Sequence, residues 1–172
     1  EDVRGSRRDR KLRKPVLIPP HYTIEELIQR GEGPSIEFKE FVEYGRKKAS
    51  EVIQTVIAFA NGEGGTILIG VNDKLDPVGV KRRVQALYKT SPENAIDQYL
   101  YDLRQVIRNN IVDVPHFEVK LSKEYQGKWI VRIDVQPGEN PPYRDSDGDI
   151  WVRQGANTIA VTLREWELRH KR

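Results

Sequence analysis

The chain has 172 residues, with 29 lysines and arginines against 26 aspartates and glutamates, and contains neither cysteine nor methionine. Its length suits one domain with a core of its own. The missing cysteines exclude disulfides and thiolate zinc sites and agree with an intracellular, cytoplasmic home. No apolar run approaches the length that crosses a bilayer, so no membrane partner is expected. A chain without methionine even at its first position is expected to be an excised piece of something longer.

The net charge of +3 is unevenly spread: residues 1–14 carry seven basic and three acidic groups, and the remainder comes to −1. The high pI therefore belongs to a basic N-terminal arm, residues 1–22, expected to be flexible. Such an arm suits counterion release on a nucleic acid or a solubilising leader. In the body, residues 23–172, basic surface has to arise by local clustering.

Thr23 and Glu26 form a capping box that opens a short helix, IEELIQR, ended by Gly31. SIEFKE alternates, which predicts a strand with Ile36 and Phe38 on one face and Glu37 and Lys39 on the other. RKKASEVIQTVIAFAN repeats apolar residues at helical steps from Ala49 to Ala60. GEGG ends that helix, and the nearly continuous apolar run TILIGV reads as a strand buried on both faces. NDKLDPVGV turns back, and a second amphipathic helix covers about residues 93–110. HFEVKLS and KWIVRIDVQ make an antiparallel hairpin across KEYQG. After the polar connection PGENPPYRDSDGD, IWVRQG is the last strand, and Thr162 with Glu165 caps a closing helix. Helices and strands interleave without strict βαβ alternation. The fold class is α+β, a mixed or antiparallel sheet packed with helices.

Two tempting motifs fail on their chemistry. NGEGG follows a helix and precedes a strand, the reverse of a phosphate-binding loop, so no nucleotide cofactor is expected. DSDGD lacks the glycine and glutamate that a calcium loop needs at its sixth and twelfth positions, and Asp147-Gly148 reads as a hairpin turn. The three histidines, His21, His116 and His170, lack metal-ligand spacing.

Carboxylates carry more. Glu37 and Lys39 leave one strand face together, Glu32 sits between glycines just before the strand, and Asp73 follows the buried TILIGV strand. Converging acidic oxygens would hold Mg²⁺ or Mn²⁺ and polarise a phosphodiester, with Lys39 neutralising developing charge. The bland alternative is a Glu37–Lys39 pair on a solvated face. Candidate contacts to a nucleic-acid backbone are Arg46, Lys47 and Lys48 at a helix start, Lys81, Arg82 and Arg83, the helical pair Arg104 and Arg108, and the strand residues Arg132 and Arg153. Each cluster also fits an ordinary solvated face. Basic residues at a helix start oppose the dipole unless an anion compensates, which favours phosphate contact at Arg46–Lys48.

The order E-x-x-x-x-E-F-K, AFANGEGGTILIGVND, VGV, and later IVDVPHFEV, IVRIDVQPGENPPYR and DIWVRQGANT, resembles the Schlafen AlbA-type domain family over approximately residues 23–168. That resemblance implies an α+β nucleic-acid-binding domain, in some members cleaving tRNA with three acidic residues and a divalent metal. Its acidic pattern falls on Glu32, Glu37 and Asp73, with Asp76 as the fallback for the third position. It further implies either a metal-dependent endoribonuclease acting on structured RNA or a non-catalytic DNA-binding module of a longer transcriptional regulator. A paired arrangement would need a homodimer or a second lobe elsewhere in a longer chain.

Overall fold

The computed structural model describes residues 22–171. The basic arm read over residues 1–22 lies outside the described residues except for Tyr22, and Arg172 lies outside as well. The elements run α1 (Ile24–Arg30), β1 (Ile36–Lys39), α2 (Lys47–Ala60), β2 (Gly65–Ile69), α3 (Lys81–Tyr88), α4 (Pro92–Asn109), β3 (Ile111–Val112), β4 (Phe117–Ser122), β5 (Ile130–Val135), β6 (Arg144–Asp145), β7 (Ile150–Gln154), β8 (Asn157–Val161) and α5 (Leu163–Arg169).

Two four-stranded sheets result, ordered β1-β2-β5-β4 and β3-β6-β7-β8. In the first, β1 and β2 are parallel through the α2 crossover, and β5 is antiparallel to both of its neighbours, β2 and β4. The second is antiparallel throughout. This is the expected α+β class with mixed and antiparallel sheets.

Local chemistry explains the boundaries. Thr23 Oγ1 accepts from Glu26 N–H and Thr162 Oγ1 from Glu165 N–H, both at 3.1 Å, so both predicted caps form. The NGEGG turn needs its last two glycines. Gly64 has φ +82°, and a Cβ on Gly65 would lie 2.7 Å from the Phe59 ring.

β2 is buried throughout, as its apolar run predicts, and serves two cores. Ile67 and Ile69 join α2, α3 and α4 side chains in the main cluster, while Leu68 joins Ile24, Leu27, Ile36 and Phe38 under α1. Fully burying each such side chain contributes about 1.5–3 kcal/mol. β1 inherits this division: Ile36 and Phe38 face α1, which turns Glu37 and Lys39 toward α2 instead of open solvent. A third cluster packs Trp166 of α5 on Ile150, Val152 and Val161 of the second sheet.

Three features differ from the sequence reading. Residues 81–88 form a helix, α3, which buries only Val84 and has no side-chain cap, so neither periodicity nor capping announces it. IWVRQG is not the last strand: β8 follows it through a tight turn at Gly155 (φ +58°). Two-residue strands β3 and β6 interrupt segments read as connections. Among the described residues, no helix is long and apolar enough to cross a membrane.

Candidate functional site

Residues 37–41, at the C-terminal end of β1, separate two concavities. The first, about 360 Å³, lies between β1, α2 and the β7–β8 hairpin and is lined by Glu37, Lys39, Lys47, Glu51, Thr55, Arg153 and Thr158 among others. Here Lys39 Nζ donates to Glu51 Oε2 at 2.6 Å and lies 3.5 Å from Glu37 Oε1. Arg153 Nη1 meets the other Glu37 oxygen, Oε2, at 2.7 Å. Its guanidinium also donates to Gly33 O at 2.9 Å, Ile36 O at 3.0 Å and Thr158 Oγ1 at 3.0 Å, and stacks 5.2 Å from the Phe59 ring centroid. The Arg153 side chain is only 6% exposed.

Glu32 has a related duty. Its Oε1 accepts from Phe38 N–H at 3.0 Å. Because β1 pairs with β2 through Ser35 O and Lys39 O, the backbone groups of Ile36 and Phe38 face outward on the sheet edge. Glu32 covers the outward Phe38 N–H and Arg153 covers the outward Ile36 carbonyl. An unpaired edge invites another strand, and these two side chains close it together with a backbone bridge between Gly33 and Ile36.

This arrangement decides how the predicted acids fit a metal. Both Glu37 oxygens already face cations, and Glu32 serves a backbone donor. Asp73 and Asp76 sit exposed on a turn organised by Asn72, whose Oδ1 accepts from Lys74 N–H and Asp76 N–H. Among the described residues, no three acidic or histidine side chains gather in a group that could hold a metal ion. As arranged, Glu32, Glu37 and Asp73 do not fit Mg²⁺ or Mn²⁺, so no chemical step is routed through one. The acid the structure brings beside Lys39 is Glu51, one α-helical turn before Thr55. Nothing in the sequence reading singled it out, because it lies off the apolar stripe of α2.

The second concavity, about 600 Å³, lies under the start of α3. Lys81, Arg82, Arg83 and Lys128 line it, with Glu40 the single acid. It forms because Gly79 and Val80 are stitched to distant segments: Gly79 N–H donates to Gly70 O and Val80 N–H to Trp129 O, both at 2.9 Å. The facing wall is the β4–β5 turn, where Gln126 and Gly127 both take positive φ and Lys128 N–H closes on Tyr125 O. Lys81 and Lys123 lie 5.1 and 4.7 Å from the Trp129 ring centroid, and Arg83 lies 4.7 Å from that of Phe41. Among the described residues, none of Lys81, Arg82, Arg83, Lys123 and Lys128 has a carboxylate partner.

The remaining predicted basic residues divide by burial. Arg46, Lys47 and Lys48 are exposed at the start of α2, whose first turn has no acid and no side-chain cap. Arg108 is exposed over Phe117, whereas Arg104 is occupied by Val119 O at 2.7 Å. Arg132 is buried on the α1 side with Asp134, which also accepts from Thr66 Oγ1. Arg132, Arg104 and Arg153 therefore face the protein's own acceptors, because the strands and helix that carry them point inward. The loop into α2 is pinned by tyrosines. Tyr44 donates to Tyr99 O, Tyr99 donates to Val42 O at 2.7 Å, and their rings stack 5.3 Å apart. Burial pushes the phenols of Tyr44, Tyr88 and Tyr99 up from their ordinary value.

Two residues outside the predicted set organise the frame. Buried Asn61, ending α2, donates to Tyr143 O and Trp151 O and accepts from Tyr143 N–H, joining α2 to the second sheet. Asp145, in DSDGD, accepts from Asp147 N–H, Asp149 N–H and Trp151 Nε1–H, so the motif is a turn, as expected.

Two solved structures are similar to this chain. The crystal structure of the DIP2311 protein from Corynebacterium diphtheriae is similar at 20% identity and a TM-score of 0.51, over 77% of this chain and 23% of that one. This chain thus corresponds to less than a quarter of that protein's length. The solution structure of the N-terminal domain of an ATP-dependent DNA helicase RecG-related protein from Nitrosomonas europaea matches at 22% identity and a TM-score of 0.44, over 70% and 78% of the two chains. A comparison with curated proteins finds no match. A family model described as Schlafen, AlbA_2 matches residues 32–162, and the chain belongs to that family.

Proposed function

We propose that this domain binds nucleic acid through backbone phosphates, as a binding module and not through a metal-dependent cut. One observation carries the reading. Two helices, α2 and α3, open on basic residues with no acid in the first turn and no side-chain cap, and both flank residues 37–41. Cations at a helix start oppose the dipole, so such an arrangement costs stability unless an anion arrives. The nucleic-acid-binding character implied by the family resemblance supports the same reading.

The endoribonuclease alternative assigns Glu32, Glu37 and Asp73 to a metal and Lys39 to the scissile phosphate. It requires Glu37 to leave Arg153 and Glu32 to leave Phe38 N–H, so binding is the reading the geometry favours. One experiment addresses both. Labelled tRNA and duplex DNA are incubated with the chain at low salt, with and without Mn²⁺, and scored for binding and for cut ends. Salt-sensitive binding without cleavage is expected. Mn²⁺-dependent cleavage that disappears in Glu37→Ala and Asp73→Ala would replace this proposal with the nuclease.

A further inference from the structure

We infer that the cleft under α3 takes a single strand of nucleic acid, DNA or RNA, by its phosphates, and does not receive a duplex. The inference rests on the nucleic-acid reading above and names the strand class for this one site.

Shape comes first. Reading the base edges of a duplex calls for an element that protrudes, because a helix or two-stranded ribbon has to enter the major groove. On a recognition helix the N-terminal residues meet the base edges. Here those residues, Lys81, Arg82 and Arg83, line the wall of a concavity closed on its far side by Gln126–Trp129. Its volume of about 600 Å³ falls within the range of small-ligand pockets. A flexible strand can thread such a cleft, whereas a rigid duplex meets only its rim.

Charge is the second argument. Four cations line the cleft against one carboxylate, Glu40. None of the four has an acidic partner among the described residues, so a phosphate displaces no existing ion pair. Lys81 and Arg83 are held over Trp129 and Phe41, which restrains them in place before a ligand arrives. Trp129 itself is 7% exposed, leaving no free aromatic face on which a base could stack. Recognition therefore runs through phosphates, with little preference among bases.

Position is the third. The cleft opens beyond the C-terminal ends of the two parallel strands, where Gly70 N–H meets Lys39 O and Gly79 N–H meets Gly70 O. Crevices at that end of parallel strands are where open α/β sheets bind ligands.

The test measures fluorescence anisotropy of the full chain. Its probes are labelled single-stranded DNA and RNA of about a dozen nucleotides and the matching DNA duplex, across a salt series. Each phosphate of a single strand contributes about −0.7 to the log–log salt slope, so four contacts give about −2.8, or roughly fifty-fold in affinity between about 50 and 200 mM salt. The double variant Lys81→Gln/Arg83→Gln should flatten the single-strand slope by about 1.4 and melt like the wild type. Arg164→Gln, an exposed charge on α5, serves as the control and should change neither slope. A wild-type chain that prefers the duplex, or a double variant whose single-strand slope matches the wild type's, overturns this inference alone. A wild-type chain that binds no nucleic acid at low salt overturns it together with the reading beneath it.

Discussion

The pocket between β1 and α2 and the cleft under α3 flank the same five residues, 37–41, yet they handle charge in opposite ways. In the pocket, Lys39 and Arg153 are both paired, and Glu37 shares its two oxygens between them. In the cleft, Lys81, Arg82, Arg83 and Lys128 line the same wall as Glu40, and none of them forms an ion pair among the described residues. A network that neutralises itself holds elements together, here β1, α2 and β7. Cations left uncompensated lose little by exposure and gain most from an incoming anion. Glu37 and Glu32, two of the acids that attract attention in the sequence, thus serve the structural half of this surface.

Removing Arg153 should produce the largest effect. Arg153→Ala leaves the half-buried Glu37 carboxylate with Lys39 alone and removes the guanidinium's bonds to Gly33 O and Ile36 O, which should cost about 3 kcal/mol in urea denaturation. The Lys81→Gln/Arg83→Gln variant should stay within about 0.5 kcal/mol of wild type. Equal losses from the two variants would erase the distinction between the regions.

Tyr44 tests the segment that joins them. Tyr44→Phe removes the hydroxyl's bond to Tyr99 O and should cost about 0.5–1.5 kcal/mol at neutral pH. Burial, above all, raises the phenols of Tyr44, Tyr88 and Tyr99, so the folded state holds those protons more tightly than the unfolded chain does. Their contribution is complete below the unfolded value near 10 and declines as pH rises beyond it. The gap between wild type and Tyr44→Phe should therefore narrow above pH 10 in pH-stepped denaturation. A gap constant through that range would contradict the sign.

Glu32→Ala should cost about 1 kcal/mol by freeing Phe38 N–H, and Glu32→Gln, which keeps an acceptor, should recover most of it. If the glutamine variant were as weak as the alanine one, Glu32 would act through its charge instead of through the strand edge. The smallest expected effect is that of metal. Millimolar Mn²⁺ should leave Tm where an equal ionic strength of Na⁺ leaves it, since an ion bound to the folded state alone would raise it. A saturable rise, lost in Glu37→Gln, would show that the carboxylates regroup around a cation.

Much of the frame was legible because its signals are local. Thr23 and Thr162 cap the helices they were expected to cap, and TILIGV is buried on both faces. α3 escaped because a helix lying on the surface with one buried residue leaves almost no periodic trace. β8 escaped because its side chains are mostly half-exposed or exposed, which blurs the alternation a strand normally shows. Among site residues, the face shared by Glu37 and Lys39 was readable from strand parity, and the basic run at 81–83 was visible as charge. That Arg153 and Arg104 are occupied was not readable, since their partners lie far away in the chain or are backbone carbonyls.

By itself, then, the sequence determined the α+β class, the family pattern and the inventory of acids and cations. It did so through periodicity, capping and motif order, all of which act over a few residues. Only the tertiary structure decided which charges meet. β1 turns Glu37 toward Arg153, and Gly79 and Val80 bring Lys81 beside Trp129. Pairing depends on distances of a few ångströms between segments many residues apart, and no local rule encodes those.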